Sequence, residues 1–110
     1  MIDIYIKLER DTVPEASSFD AIAYFRTANS GTVPTTARYR IDSLTTGGNV
    51  RAWTDLTPAE SITIPVTPDD TAITTSNRQE TKQITVEINT DLDTQVRKQI
   101  NFKVNNIRAF

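Results

Sequence analysis

The sequence predicts an all-β protein, an antiparallel sandwich of seven or eight strands. Apolar residues recur at every second position in several short stretches, which is the period of a strand with one buried and one wet face. Turn-forming residues separate these stretches at short intervals, and no stretch has a helical period. Threonine occurs 18 times in 110 residues, and its branched Cβ favours extended backbone. A chain of this length has one core, so residues 1–110 are expected to form a single domain.

The first third of the chain supplies two strands. Residues 2–8 alternate isoleucine and leucine with polar residues and predict the first strand. Residues 9–18 carry charge, proline and serine, which indicates a connection. From Phe19 to Arg26 both faces are partly apolar, so the second strand is expected in the middle of a sheet. Residues 29–34 form a dense turn signal that leads into the central part of the chain.

The central part predicts a hairpin followed by a returning strand. Residues 37–42 alternate small or apolar side chains with charged ones. Gly47 and Gly48 mark a tight turn because glycine adopts positive φ at no steric cost, and Asn49 after them accepts it more easily than most residues. The residues that run back carry Trp53, the only tryptophan. In the strand 61–66, Pro65 has no N–H to donate, so this strand is expected to lie at a sheet edge or to bulge at the proline.

The last third supplies two long strands. Residues 82–89 have the cleanest alternation in the chain, and residues 95 to about 107 predict the last strand. Residues 90–94 form the turn between them. Residues 71–77 hold one apolar anchor, Ile73, and are expected to form a short edge piece or a mobile loop.

Seven strands with a tryptophan near the middle match the number of strands in an immunoglobulin-like or fibronectin type III-like sandwich that lacks the disulfide. In that scheme the first two strands and the strand 61–66 form one sheet, and the four other strands form the second. The predicted core lies between the sheets. Its members are Phe19, Ala21, Ala23, Phe25, Tyr39, Ile41, Trp53, Ile62, Ile64, Ile84, Val86, Ile88, Ile100, Phe102 and Val104.

The composition argues against several classes of function. The net charge is −2, from 12 basic and 14 acidic residues spread along the chain, so direct nucleic-acid binding is not expected. Cysteine and histidine are absent, which removes disulfides, thiolate nucleophiles and the commonest general base and metal ligand. No run approaches the ~20 apolar residues that span a bilayer, and the first residues do not resemble a secretory signal. A soluble protein made in the cytoplasm is therefore expected.

No catalytic residue, cofactor or metal is predicted. A serine nucleophile needs a base, and only a pairing with Lys82, Lys98 or Lys103 stays open, although these lysines are expected to alternate outward or to lie at strand ends. The pairs Asp69–Asp70 and Asp91–Asp93 fit solvated turn aspartates. A calcium loop is the less favoured alternative, because the glycine and closing glutamate of an EF-hand are missing.

The sequence offers more candidate residues for binding a partner than for catalysis. A row of arginines crosses the central hairpin, the proline-bearing strand offers an edge, and apolar residues at the C-terminal end either pack on their own domain or dock on a neighbouring subunit. The candidate partner-binding residues are Arg38, Arg40, Arg51, Pro65, Ile107 and Phe110. Tyr5 and Tyr24 are expected on outer faces, where a platform for stacking sugars is the alternative to isolated surface aromatics.

The segments from Tyr39 to Gly47 and from Trp53 to Ile64 resemble small immunoglobulin-like proteins encoded among the structural genes of tailed bacteriophages and prophages. Residues 83–86 and 104–107 fit the same pattern, so the resemblance covers about residues 35–107. It implies a non-enzymatic component of the virion, first of all a decoration or cement protein that binds the capsid lattice through loops and strand edges.

The resemblance also implies the partners, which are the major capsid protein or other virion proteins, and it leaves a homo-oligomer open. A head–tail or tail component is the second implied role. A carbohydrate-binding or adhesion sandwich is the alternative from another class. In each virion role the protein acts in the particle, with no direct contact to nucleic acid or membrane.

Overall fold

The computed structural model describes residues 2–27, 30–73, 78–89 and 95–106. Within these ranges the chain is all β, and it has no helix long and apolar enough to cross a membrane. Two sheets pack as a sandwich, which confirms the predicted fold class. The strands are β1 (Ile2–Leu8), β2 (Thr12–Pro14), β3 (Phe19–Thr27), β4 (Ser30–Gly31), β5 (Thr36–Ser43), β6 (Asn49–Leu56), β7 (Ser61–Val66), β8 (Gln79–Asn89) and β9 (Gln95–Asn105).

The longer strands divide between the two sheets as the sequence predicted. Sheet A contains β1, β3, β4 and β7, with β3 in the middle. Sheet B has the order β2-β9-β8-β5-β6. The difference is β2, which pairs in parallel with β9 at Val13 and Val104, so sheet B is mixed and not purely antiparallel. A stretch as short as Thr12–Pro14 shows too little alternation to stand out from the connection predicted there.

The core lies between the sheets, and most of the predicted core residues are fully buried. The two exceptions are Trp53 and Ile100, which are only partly buried. Trp53 was predicted inside and instead lies on the outer face of sheet B. Four further residues complete the core. They are Ile4, Val13, Ala37 and Val66.

Lys82 is buried inside β8, and the prediction that it alternates outward or lies at a strand end was wrong. Its side chain is 2% exposed and lies 3.3 Å, from Nζ to Oε1, from the fully buried Glu80. Both residues point inward because they share a face of β8 with Ile84. Lys82 Nζ also donates to the backbone carbonyl of Ala72 at 2.9 Å and so holds the segment that follows β7 against the sandwich.

The hydrogen-bond pattern of sheet A shows which backbone groups face outward at its edges. The Phe25 N–H donates to the Glu60 carbonyl at 3.0 Å, and bonded pairs recur at every second residue of an antiparallel ladder. In β7, Ile62 and Ile64 therefore bond to β3, whereas Thr63 and Pro65 face away from it. Pro65 replaces an N–H that has no partner within the sheet. This confirms that the proline-bearing strand lies at an edge.

Candidate functional site: an arginine–tryptophan face

Trp53 lies on the outer face of sheet B because it is next to Thr54, which pairs with the core residue Tyr39, and neighbouring side chains of a strand point to opposite faces. Tyr39 pairs with Thr54, but Ile41 pairs with Arg51, so two steps along β5 match three steps along β6. Such a bulge turns the side chains beyond it to the opposite face. The bulge therefore brings Arg51 to the core side of β6, while the indole of Trp53 packs among charged groups outside the sandwich.

Three guanidinium groups surround the indole. The Cζ atoms of Arg38, Arg40 and Arg97 lie 4.2, 5.5 and 5.7 Å from the centre of the Trp53 ring. These distances are within the range of cation–π attraction, which is strongest with tryptophan. We call the surface formed by these four side chains the arginine–tryptophan face.

Glu87 holds two of the arginines in place from the neighbouring strand. Its carboxylate is 3% exposed; Arg38 Nε donates to Oε1 at 2.7 Å and Arg97 Nε donates to Oε2 at 2.5 Å. Burial alone would raise the pKa of Glu87, but these hydrogen bonds and the two positive charges outweigh it and lower the pKa below its ordinary value. Glu87 is therefore ionised at neutral pH and fixes both guanidinium groups.

Asp42 orders the third arginine. Arg40 Nη2 donates to Oδ1 of Asp42 at 2.7 Å, and Asn49 Nδ2 donates to the same oxygen at 3.0 Å. Burial opposes ionisation of Asp42, but these hydrogen bonds and the charge of Arg40 lower its pKa below the ordinary value. The hydrogen bond that Arg40 donates to Asp42 in turn raises the pKa of Arg40.

A hollow adjoins the face where β5 and β8 approach the end of the sheet. Its volume is about 340 Å³, and Arg38, Asp55, Glu87 and Gln95 are among the residues that line it. A hollow beside aromatic and guanidinium groups can receive a side chain from a docking protein. The rest of the outer face carries cross-strand polar pairs such as Gln83 with Asn101, whose side chains are joined at 3.1 Å.

The face is electrostatically balanced. Its three arginines are matched by Glu87, Asp42 and Asp55, the last of which lies opposite Arg38 in the register of β5 and β6. A surface that binds a phosphate backbone has an excess of positive charge, which these residues do not supply. The arrangement suits contact with a protein surface that offers both charge and apolar area.

Arg51 does not belong to this face, although the sequence suggested that it could meet a partner together with Arg38 and Arg40. It lies opposite the buried Ile41 and so turns toward the core side of β6. Its Nε and Nη2 donate to the two carboxylate oxygens of Asp70 at 2.8 and 3.1 Å. The hydrogen bonds that Arg51 donates to Asp70 raise the pKa of Arg51. The register shifts in β6 separate Arg51 from the other two arginines.

Asp70 is buried, and the expectation of a solvated turn aspartate was wrong for it. The N–H and Oγ1 of Thr67 donate to its Oδ2 at 2.9 and 3.0 Å, and Arg51 completes its shell. Asp69, its neighbour, is exposed. The pair therefore divides into one aspartate that faces solvent and one that ties the turn after β7 to β6.

Ser43 and Lys82 lie opposite each other in the register of β5 and β8. Ser43 Oγ accepts a hydrogen bond from the Thr46 N–H at 3.2 Å, while the Lys82 ammonium contacts Glu80 and the Ala72 carbonyl. Each group thus has a structural partner. Ser43 supports the turn, in which Gly47 has the predicted positive φ of 76°.

The other predicted site residues are distributed differently. Pro65 lies at the free edge of sheet A, on the sheet opposite to the arginine–tryptophan face. Ile107 and Phe110 lie outside the described residues, as does the pair Asp91–Asp93. Tyr5 and Tyr24 are directly opposite each other on β1 and β3, and with Arg26 they line a shallow hollow of about 240 Å³.

Sequence reasoning missed Glu87 and Arg97 as members of the face. The alternation of residues 82–89 puts Glu87 on the outer face, which is correct, but nothing in the sequence gives the register that places Arg97 beside it. An outward-facing glutamate in an otherwise clean strand, flanked by arginines in neighbouring strands, is the one signal that points to such a contact.

No family model matches the chain, and none of the curated proteins matches it. Several solved structures are similar in shape, and they include the following two. One is a cohesin module from a family 33 glycoside hydrolase of Clostridium perfringens, with a TM-score of 0.49 and 14% identity over 96% of this chain and 97% of that one. The other is a conjugative transposon lipoprotein from Bacteroides eggerthii, with a TM-score of 0.49 and 12% identity over 90% and 95% of the two chains. At these scores neither similarity bears on function.

Proposed function

We propose that this protein is a non-enzymatic structural component of a phage virion, a decoration protein that binds the major capsid protein through the arginine–tryptophan face. The observation that carries the proposal is the outward position of Trp53 among Arg38, Arg40 and Arg97. The sequence resemblance to phage structural proteins supplies the choice of partner.

The composition of the face supports a protein partner. Tryptophan and arginine are the residues most enriched among those that dominate binding energy at protein interfaces. Arg38 and Arg97 are already ordered by Glu87, and Arg40 by Asp42, so docking immobilises fewer flexible side chains. A face ordered before contact loses less conformational entropy on binding.

A capsid lattice also suits a small binding domain. Each copy needs only modest affinity when the lattice offers many equivalent positions, and copies that touch one another or two capsid subunits gain avidity. The alternative role, at the head–tail junction or in the tail, uses the same face but meets a ring with few positions. Copy number therefore distinguishes the two roles.

Co-sedimentation with shells of the phage that encodes the protein tests the proposal. Purified protein is titrated against compact precursor shells and against expanded shells, and bound copies are counted per shell. We expect saturable binding to expanded shells, with a copy number that matches the lattice. Absence of binding to both kinds of shell overturns the decoration role.

Two variants test the surface that is used. Trp53→Ala should weaken shell binding at least about tenfold, because tryptophan hot spots contribute roughly 2 kcal/mol or more. Leu44→Ala is the matched control, since Leu44 is an exposed apolar residue in the turn between β5 and β6, away from the face. Equal binding by the two variants shows that the arginine–tryptophan face is not the contact.

A further inference from the structure

Sheet A has a second kind of binding surface, the free edge of β1. Among the described residues β1 pairs with β3 alone. It is seven residues long, contains no proline, and its register with β3 is continuous from Ile2 to Leu8. Unpaired, regular edges of this kind are templates for a further strand.

The other edges are less suited to accept a strand. β7 has Pro65 facing outward, and β6 has two register shifts that distort its edge. The part of β9 that β2 leaves uncovered carries Arg97 and Lys98 without any acidic residue, so two copies would bring like charges together. Within the part of the chain that the structure describes, β1 is the edge strand that is both regular and without a second hydrogen-bonded neighbour.

The backbone groups that β1 offers can be identified. The Glu9 N–H donates to the Asp20 carbonyl at 3.0 Å, so odd-numbered residues of β1 bond to β3. The N–H and carbonyl groups of Ile4 and Ile6 therefore point to the free edge. Their side chains face the core, while Asp3, Tyr5 and Lys7 are exposed on the outer face.

Charge complementarity identifies the strand that fits this edge as β1 of a second copy. An antiparallel pair with its two-fold axis at Tyr5 places Ile4 opposite Ile6, where each exchanges both backbone hydrogen bonds. Asp3 then lies opposite Lys7 of the other chain, twice by symmetry. Neither Asp3 nor Lys7 forms a salt bridge with any described residue of its own chain.

Other registers that keep the apolar side chains on the core face give less favourable charge pairing between the two β1 strands. An axis at Asp3 or Lys7 brings two like charges together, which is destabilising. An axis at Ile4 or Ile6 pairs Tyr5 with Asp3 or Lys7 and forms no pair of opposite charges. A shift by one residue turns the apolar face of one strand to solvent. The register centred on Tyr5 is the one with two attractive pairs.

The same register extends an aromatic row. Tyr5 is 56% exposed and lies opposite Tyr24 in its own sheet. Pairing about Tyr5 places the two Tyr5 rings side by side, so four tyrosines cross the joined sheets. Non-hydrogen-bonded pairs bring side chains closest together, and Tyr5 occupies such a pair with its symmetry mate.

We infer that the protein forms a two-fold symmetric dimer in which β1 pairs antiparallel with β1 of a second copy, with the axis at Tyr5. The contact is isologous and joins the two A sheets into one. It leaves the arginine–tryptophan face of each copy free, because that face lies on sheet B. The inference concerns the purified protein and does not depend on the proposed capsid role.

Cross-linking through a single cysteine tests the position of the axis, since the chain has no native cysteine. In the proposed register two copies of residue 5 have Cα atoms about 4.5 Å apart, within the range that a disulfide spans. Two copies of residue 7 are about 13 Å apart along the strands, which is too far. Mild oxidation should convert Tyr5→Cys to a covalent dimer and should form no covalent link between two copies of Lys7→Cys. Equal cross-linking of the two variants overturns the register.

Charge reversal tests the complementarity by sedimentation equilibrium. Asp3→Lys and Lys7→Asp should each weaken the dimer at least about tenfold, because each puts like charges opposite each other at two positions. The double variant should regain dimer formation, and so should an equimolar mixture of the two single variants. Thr63→Lys, on the outer face of β7, is the control and should dimerise like the unaltered protein.

The outcomes are decisive in both directions. Recovery in the double variant and in the mixture supports direct pairing of residues 3 and 7. A protein that sediments as a monomer at all accessible concentrations overturns the inference, as do single variants that dimerise normally. Circular dichroism of each variant confirms that loss of the dimer is not loss of the fold.

Discussion

Glu87 and Arg97 face each other across β8 and β9, and their side chains meet at 2.5 Å on the outer face of sheet B. Arg38 approaches the same carboxylate from β5, so one buried anion joins three strands. Glu87 orders the face that carries Trp53, and this makes it the position at which to perturb both stability and recognition.

Replacement of Glu87 by glutamine should loosen the arginine–tryptophan face. Glutamine keeps the shape but loses the charge that both arginines contact, so we expect a loss of about 1–3 kcal/mol in the free energy of unfolding. Tryptophan fluorescence should change with it, because Arg38 leaves the ring. Chemical denaturation measures the first effect, and Glu60→Gln, at an exposed glutamate, should stay within about 0.5 kcal/mol of the unaltered protein.

Acid should destabilise the protein through Glu87 and Asp42. Both carboxylates have a pKa lowered in the folded state, so each binds protons more readily when unfolded. Their contribution is complete above the ordinary pKa and is lost as the pH falls through the folded value. The melting temperature should therefore fall below about pH 4.5. The melting temperature of Glu87→Gln should fall less steeply with decreasing pH. Equal slopes for the variant and the unaltered protein would show that Glu87 does not contribute to the acid sensitivity.

Asp70→Asn should weaken the attachment of the turn after β7. The buried carboxylate accepts from Arg51 and from both the N–H and the hydroxyl of Thr67, and asparagine removes the charge that makes these bonds strong. We expect a loss of roughly 2 kcal/mol in the free energy of unfolding. Asp69→Asn, one residue earlier and exposed, serves as the control in the same denaturant titration.

Lys82→Met should be the most destabilising of these changes. It leaves the carboxylate of Glu80 buried without the lysine, and breaking a buried ion pair from one side costs about 3–5 kcal/mol. The double variant Lys82→Met with Glu80→Gln should be more stable than the single variant. Lys103→Met, at an exposed lysine of β9, should change little. A double variant as unstable as the sum of its parts would contradict a direct interaction between residues 80 and 82.

Alternation was sufficient to predict most of the core and the division into sheets. Phe19, Ile64 and Val86 face inward because period-2 patterning fixes which side of a strand is buried. Trp53 was placed in the core because immunoglobulin-like sandwiches bury a tryptophan there, whereas alternation with Thr54 and Leu56 puts it on the outer face.

The candidate site was harder to predict than the fold. Arg38 and Arg40 alternate correctly, but their partners are set by the register between strands, which is a long-range property. Arg51 looked equivalent to them on a regular hairpin, and the register shifts gave it a different neighbour. Lys82 was expected to alternate outward or to lie at a strand end, and the sequence does not show that Glu80 accompanies it inward.

Pro65 affects how far an assembly built from sheet A extends. In the proposed dimer each copy has used its β1 edge, and the edge left at either end is β7, where the proline ring stands in place of a hydrogen-bond donor. A third copy therefore finds no complete ladder to continue, and addition stops at two. A strand that pairs readily at one side of the sheet is thus compatible with a protein that does not polymerise into fibres.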